Sequence, residues 1–152
     1  MDFEVTDDLR RRHGIPADWR FGFPHQVRWA DADAFGHANH RAYLGWFEDA
    51  RNLYLEWAGL PRLTAATPGP VLSEVTARYL APLSYGDRIV VTARTLSLRR
   101  TSFRMEYAAW GQGCAAVGTA LCVLMVNATG ERVPIPDAVR ARMIERDGAV
   151  EE

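Results

Sequence analysis

Five polar side chains able to move protons or accept hydrogen bonds crowd into one stretch, DADAFGHANH, where Asp31, Asp33, His37, Asn39 and His40 surround Gly36. A carboxylate in such a turn can attack a carbonyl carbon or activate water, provided that donors are aimed at the carbonyl oxygen. The residues that follow have helical spacing, and a helix N-terminus offers free N–H groups and a positive dipole end. Asp33 lies six residues before that start, and Gly36 lets the backbone fold tightly enough to bring the two together. These are the parts that thioester hydrolysis needs. Each residue also has a plainer role. Aspartates ahead of helices form Asx turns, Asn39 is a natural N-cap, and a capping side chain competes with a substrate oxygen for the same N–H groups. Asp31 reads as structural or solvent-facing. His37 and His40 make an HxxH pair, but two histidines on a turn are a poor ligand set and no metal is expected.

The elements that must position this turn are legible on either side of it. Tyr43, Leu44, Phe47, Ala50, Leu53, Tyr54 and Trp57 recur at three- and four-residue steps, predicting a long helix from Asn39. Gly59 suits the left-handed position after its last turn, and Pro61 prevents continuation. Trp46 and Leu55 widen the apolar face, so a sheet is expected to wrap the helix. Glu48 and Arg51, three residues apart, are expected to pair on an exposed face. Glu48 would be a second candidate base were it buried, because burial raises a carboxyl pKa.

Before the turn, Pro24 opens a strand-like alternation over residues 25–30, and the first twenty or so residues lack clear periodicity. After the helix come four strand-like segments, 71–80, 87–96, 102–110 and 114–126, with Gly111-Gln112-Gly113 as a hairpin turn. The last, CAAVGTALCVLMV, is apolar enough to be central or covered on both faces. Residues 137–146 read as a short amphipathic helix. The order is strand, long helix, four strands and short helix, one α+β layer pair with no linker or repeat. Between the third and fourth strands, Arg99 and Arg100 sit beside Thr101 and Ser102; guanidinium forks suit phosphate, although an RR pair is also a common solvated hairpin end.

Composition narrows the classes. The 152 residues carry 18 Lys and Arg against 19 Asp and Glu, so the basic excess of a nucleic-acid binder is missing. No run of about 18 apolar residues could span a bilayer, and the charged start MDFEVTDDLRRRHG lacks a signal's apolar stretch; a cytoplasmic protein is expected. Cys114 and Cys122 form no CxxC and are expected to be reduced apolar residues.

Taken together, VRWADADAFGHANHRAYLGWFEDAR (residues 27–51) closely resembles the signature of the 4-hydroxybenzoyl-CoA thioesterase family: an apolar strand, DxD, a glycine turn carrying Asn, and a Tyr-Leu helix with Glu and Arg. AFGHANHRAYL is similar to the general and long-chain acyl-CoA branch, with FGHVNN, more than to the aryl-CoA branch, with PAGI; it departs at His40, where a second Asn is usual. GDRIVVTARTLSLRRTSF extends the resemblance, which covers about residues 24–145. It implies a single hot-dog domain over 1–152, a five-stranded antiparallel sheet around a long central helix with a short C-terminal helix. It implies Asp33 as the catalytic carboxylate, a helix-start amide near Asn39 and His40 for the thioester carbonyl, and Arg99, Arg100, Thr101 and Ser102 along the coenzyme A path. It also implies a homodimer or homotetramer with sites built between subunits.

The expected activity is hydrolysis of an acyl-CoA without a cofactor. Asp33 acts as nucleophile or general base, Gly36, Asn39 and His40 shape the oxyanion site, and His37, Tyr43 and Phe47 lie along the acyl group. Two alternatives stay open: an acyl carrier protein as the carrier, or a non-catalytic acyl-CoA binding module. A hydratase ranks below them, because a GDxNPxH-like segment is missing.

Overall fold

The computed structural model describes residues 2–152. Helix α1 (Asp7–His13) is followed by β1 (Phe21–Gln26), α2 (His40–Trp57), β2 (Pro68–Tyr79), β3 (Arg88–Leu98), β4 (Ser102–Gly111), β5 (Gly113–Val126), β6 (Glu131–Arg132), α3 (Asp137–Asp147) and β7 (Val150–Glu151). The sheet order is β1-β3-β4-β5-β2, all antiparallel; β6 adds to β5, and β7 runs parallel to β3 beyond the end of β1. The α+β expectation holds, with two short strands beyond the five expected.

Helix α2 forms where its apolar spacing predicts. Asn39 caps it by accepting from the Arg41 N–H at 3.1 Å, a contact worth about 1 kcal/mol, and Gly59 leaves it at φ +111°. Tyr43, Trp46, Phe47, Ala50, Tyr54 and Leu55 are buried against the concave face of the sheet. The Phe47 ring stacks on Tyr107 with centroids 5.3 Å apart. Only a glycine fits beneath it, since a Cβ on Gly118 would come within 2.8 Å of both Phe47 and the Thr76 carbonyl. Bulges in β2, β3 and across the β4/β5 pair help the sheet curl around the helix.

Two expectations are corrected. The first strand runs over Phe21–Gln26 rather than 25–30, because Phe21 is a core residue and Arg28 holds Asp31 so that Trp29–Asp31 becomes a 3-10 turn. Pro24 is tolerated inside the strand because β1 is an edge. The N-terminal stretch contains a helix, capped by Thr6 and closed by Gly14, and with Ile15 and Trp19 it covers Val90, Ala108 and Trp110 on the outer face of the sheet. The apolar β5 is central, as expected, and its burial alternates, so one face alone is fully covered.

Helix α3 is tied back to the core through its last residue. The Tyr54 hydroxyl and the Thr95 N–H (2.8 Å) both donate to one oxygen of Asp147. Burial pushes the Asp147 carboxyl above its usual range, against the lowering effect of these bonds. A carboxyl whose folded pKa is raised contributes stability that is complete below its unfolded value of about 3.9 and is lost as pH rises through the folded value. In Asp147→Asn the carbonyl can keep both bonds, so the melting temperature of the wild type should fall relative to the variant as pH rises above about 4; parallel curves would contradict this.

Candidate functional site

The turn before α2 is held by its backbone. The Asp33 N–H donates to the His37 carbonyl (2.9 Å), the Gly36 N–H returns to the Asp33 carbonyl (3.1 Å), and Gly36 takes φ +82°. Ala32 pairs with Ala38, and His37 pairs with Ser84 in the loop before β3. The segment is thereby fastened both to itself and to the end of the sheet.

Within this frame the two aspartates have different roles. Asp31 is buried and accepts from the Arg28 N–H (2.9 Å) and the Arg28 guanidinium (3.1 Å), while its carbonyl accepts from the Asn39 N–H (2.7 Å). Burial pushes its carboxyl up, but the hydrogen bonds and charge of Arg28 outweigh this and hold it below the usual carboxylate range. Asp31 is a brace. His25 stands 4.0 Å from it, and burial, opposed by Asp31, lowers the imidazole pKa.

Asp33 is half-buried and only partly engaged. One carboxylate oxygen accepts from the Phe35 N–H at 2.9 Å, the Asx turn of the plainer reading. The other accepts only a long 3.4 Å contact from Asn39 Nδ2. The carboxylate opens on a cavity of about 620 Å³ lined by Trp29, Ala34, Ser84 and Tyr85.

The competition between capping and substrate binding is resolved amide by amide. The Asn39 N–H is consumed by Asp31, which corrects the expectation of a donor there, and the Arg41 N–H is consumed by the cap. The His40 N–H, at the first helical position, makes no hydrogen bond among the described residues. The His40 carbonyl accepts from the Tyr79 hydroxyl (3.2 Å), and His40, Tyr43 and Tyr79 line a neighbouring cavity of about 280 Å³. Phe47 continues along the same helix, with its ring buried.

One expectation, the exposed pair on α2, fails in place. Glu48 is 65% exposed, so burial gives it no reason to act as a base; its partner Arg51, expected at the surface, is the buried member of the pair. Arg99, Arg100, Thr101 and Ser102 do not meet Asp33 within one chain. They sit at the far end of the eleven-residue β3, about 30 Å along the strand from the loop that pairs with His37. There Arg99 pairs with Glu152 at 3.3 Å. Sequence reasoning missed Trp29, Ser84 and Tyr85; only the spacing of Arg28 and Asp31 carried a usable signal, for the brace.

No three His, Cys, Asp or Glu side chains converge as metal ligands among the described residues, and no helix there is long and apolar enough to cross a membrane. Both cysteines are free thiols.

Comparison with known proteins agrees with this geometry. Residues 27–143 match the thioesterase-like superfamily. A thioesterase-superfamily structure from Jannaschia sp. CCS1 is 38% identical, covers 98% of this chain and 96% of its own, and superposes with a TM-score of 0.88. A Thermus thermophilus thioesterase complexed with coenzyme A and zinc is 29% identical over 88% of this chain and 98% of its own, with a TM-score of 0.76. A chloroplastic acyl-acyl carrier protein thioesterase of Arabidopsis thaliana is 37% identical over 71 residues, 45% of this chain but only 37% of the plant protein's length. With the helix-in-sheet architecture and a carboxylate beside a helix start, these matches place the chain in the thioesterase-like superfamily, as a thioester hydrolase of the hot-dog fold.

Proposed function

We propose that the protein hydrolyses an acyl-CoA to the free acid and coenzyme A, with Asp33 as the reacting carboxylate and the His40 N–H as an oxyanion donor. The observation that carries this reading is the pairing, within one turn, of a carboxylate oxygen that is nearly free with a helix-start amide that is wholly free. The thioester carbonyl oxygen would take the His40 N–H, whose direction is set by the helix and needs no reorganisation as charge develops. Asp33 would then either attack the carbonyl carbon, expelling the thiolate and leaving an anhydride for water to open, or deprotonate the attacking water. Both routes place the same oxygen in the same position.

The nucleotide end requires a second copy. Arg99 and Arg100 are exposed at the far end of β3, so the coenzyme A that reaches Asp33 of one chain would meet the arginines of another. β2, a sheet edge with unpaired outer main-chain groups, is suited to receive that copy. An acyl carrier protein is the alternative carrier, favoured by the name of the plant relative; its acidic surface would meet the same arginines.

Three variants test the site. Asp33→Asn should abolish thiol release from decanoyl-CoA and decanoyl-acyl carrier protein alike while leaving folding intact, and the preferred carrier of the wild type names the physiological one. Substantial turnover in this variant would sink the role of Asp33. His40→Pro, read against His40→Ala, is the sharper change, because proline is favoured at the first helical position and both variants lose the imidazole while only proline loses the N–H. Asn39, at φ −67° and ψ 145°, already has the backbone that precedes proline readily. Turnover of His40→Pro should fall by about 10²–10³-fold below that of His40→Ala with the melting temperature unchanged; an undiminished rate would remove the amide from the mechanism.

A further inference from the structure

Arg51 does not belong where the helix places it. Its side chain points into the groove between α2 and β2, and the residue is only 5% exposed. Its partners are poor for a buried cation: Tyr107 Oη at 3.4 Å, the mostly exposed Glu48 at 3.5 Å, and the Tyr107 ring with its centroid 5.9 Å from Cζ. Arg51 Nε is buried with no acceptor. An orphaned, charged donor of this kind is costly and calls for an occupant that is not part of the chain.

The surroundings describe that occupant. Arg51 lines a cavity of about 300 Å³ whose other walls include Leu44, Phe47, Leu72 and Val75. Leu44, Leu72 and Val75 are exposed, so the apolar wall is open to a ligand. Between the same two elements, toward the start of α2, His40, Tyr43 and Tyr79 line a second cavity. Arg51 lies eleven positions after His40, about 16 Å along the axis, and a helical side chain leans back toward the N-terminus. An independent measure along β2, from Tyr79 to Val75, gives roughly 13 Å. That span fits a medium-length acyl chain with methylenes on the apolar wall and its far end at the guanidinium.

We propose that Arg51 is a specificity-determining residue that selects acyl groups carrying an oxygen acceptor, a carboxylate or a hydroxyl, at the end remote from the thioester. This rests on the reading above that the carbonyl is held at the start of α2. A methyl-ended chain would leave Nε unpaired, whereas a carboxylate could accept a charge-assisted pair of bonds. Glu48, at the rim and largely in water, can swing outward when the pocket fills.

The test uses thioether analogues that cannot be hydrolysed: S-decyl-CoA and its ω-carboxy and ω-hydroxy counterparts, titrated calorimetrically into wild-type protein and Arg51→Met. One or both polar-ended analogues should bind at least tenfold more tightly than S-decyl-CoA to wild type, and that preference should vanish in the variant. The better of the two names the acceptor. Equal affinities, a preference that survives in Arg51→Met, or no binding of any analogue overturns the proposal. Should the variant fail to fold, the Arg51 Nε–H resonance of the wild type gives the same answer. It should shift with the polar-ended analogue and not with S-decyl-CoA, and an unmoved signal, as when a carboxylate of a second copy already occupies it, overturns the proposal. Asp33→Asn should keep the preference while losing hydrolysis, so failure of the catalytic reading is seen separately as wild-type protein inert on decanoyl-CoA and on its ω-carboxy and ω-hydroxy counterparts alike.

Discussion

The stacking of Phe47 on Tyr107, allowed by the bare backbone of Gly118, is the contact on which the site depends. It presses α2 into the curl of the sheet and so fixes the helix along its whole length, including its first turn. Tyr43 against Tyr79 and the Tyr79 hydroxyl on the His40 carbonyl hold that first turn at the edge strand. A helix that only lay on the sheet could slide by a fraction of a turn, and a displacement of about 1 Å is enough to spoil a catalytic geometry. The core of the fold and the aim of the His40 N–H are thus set by the same aromatic packing.

Against that fixed helix start, the loop distributes its hydrogen bonds unevenly. Asp31, held by Arg28, takes the Asn39 N–H; the Asn39 side chain takes the Arg41 N–H; His37 pairs with the loop before β3. These bonds leave one amide and most of one carboxylate oxygen without a strong partner. Unsatisfied groups at a helix N-terminus are ordinary; here one stands beside an underused aspartate in a segment fastened at both ends.

Much of this was legible in the sequence, for identifiable reasons. Helix α2 announced itself because its burial is one-sided and periodic, and its cap and stop are marked by Asn39 and Gly59. The four later strands followed from alternation and glycine turns. The first strand was misplaced because Pro24 reads as a boundary, whereas at an edge it costs little. Helix α1 was missed because its seven residues bury no side chain fully and carry little apolar periodicity. Asp33 was a candidate through the DxD of the family resemblance, but which amide stays free depends on pairings across the loop. Arg51 was misread for a similar reason: a Glu and an Arg three residues apart look like a surface pair until the curl of β2 closes over one of them.

The sheet also separates the two ends of the proposed substrate, with the reacting turn at the start of β3 and the arginine hairpin at its far end. The most direct measurement is a crystal structure with the ketone analogue of decanoyl-CoA, in which a methylene replaces the thioester sulfur. The account predicts the ketone oxygen at about 3 Å from the His40 nitrogen, the carbonyl carbon facing Asp33, and the nucleotide phosphates on Arg99 or Arg100 of a second copy. A ketone oxygen bound elsewhere, with the His40 N–H still unpaired, would contradict it.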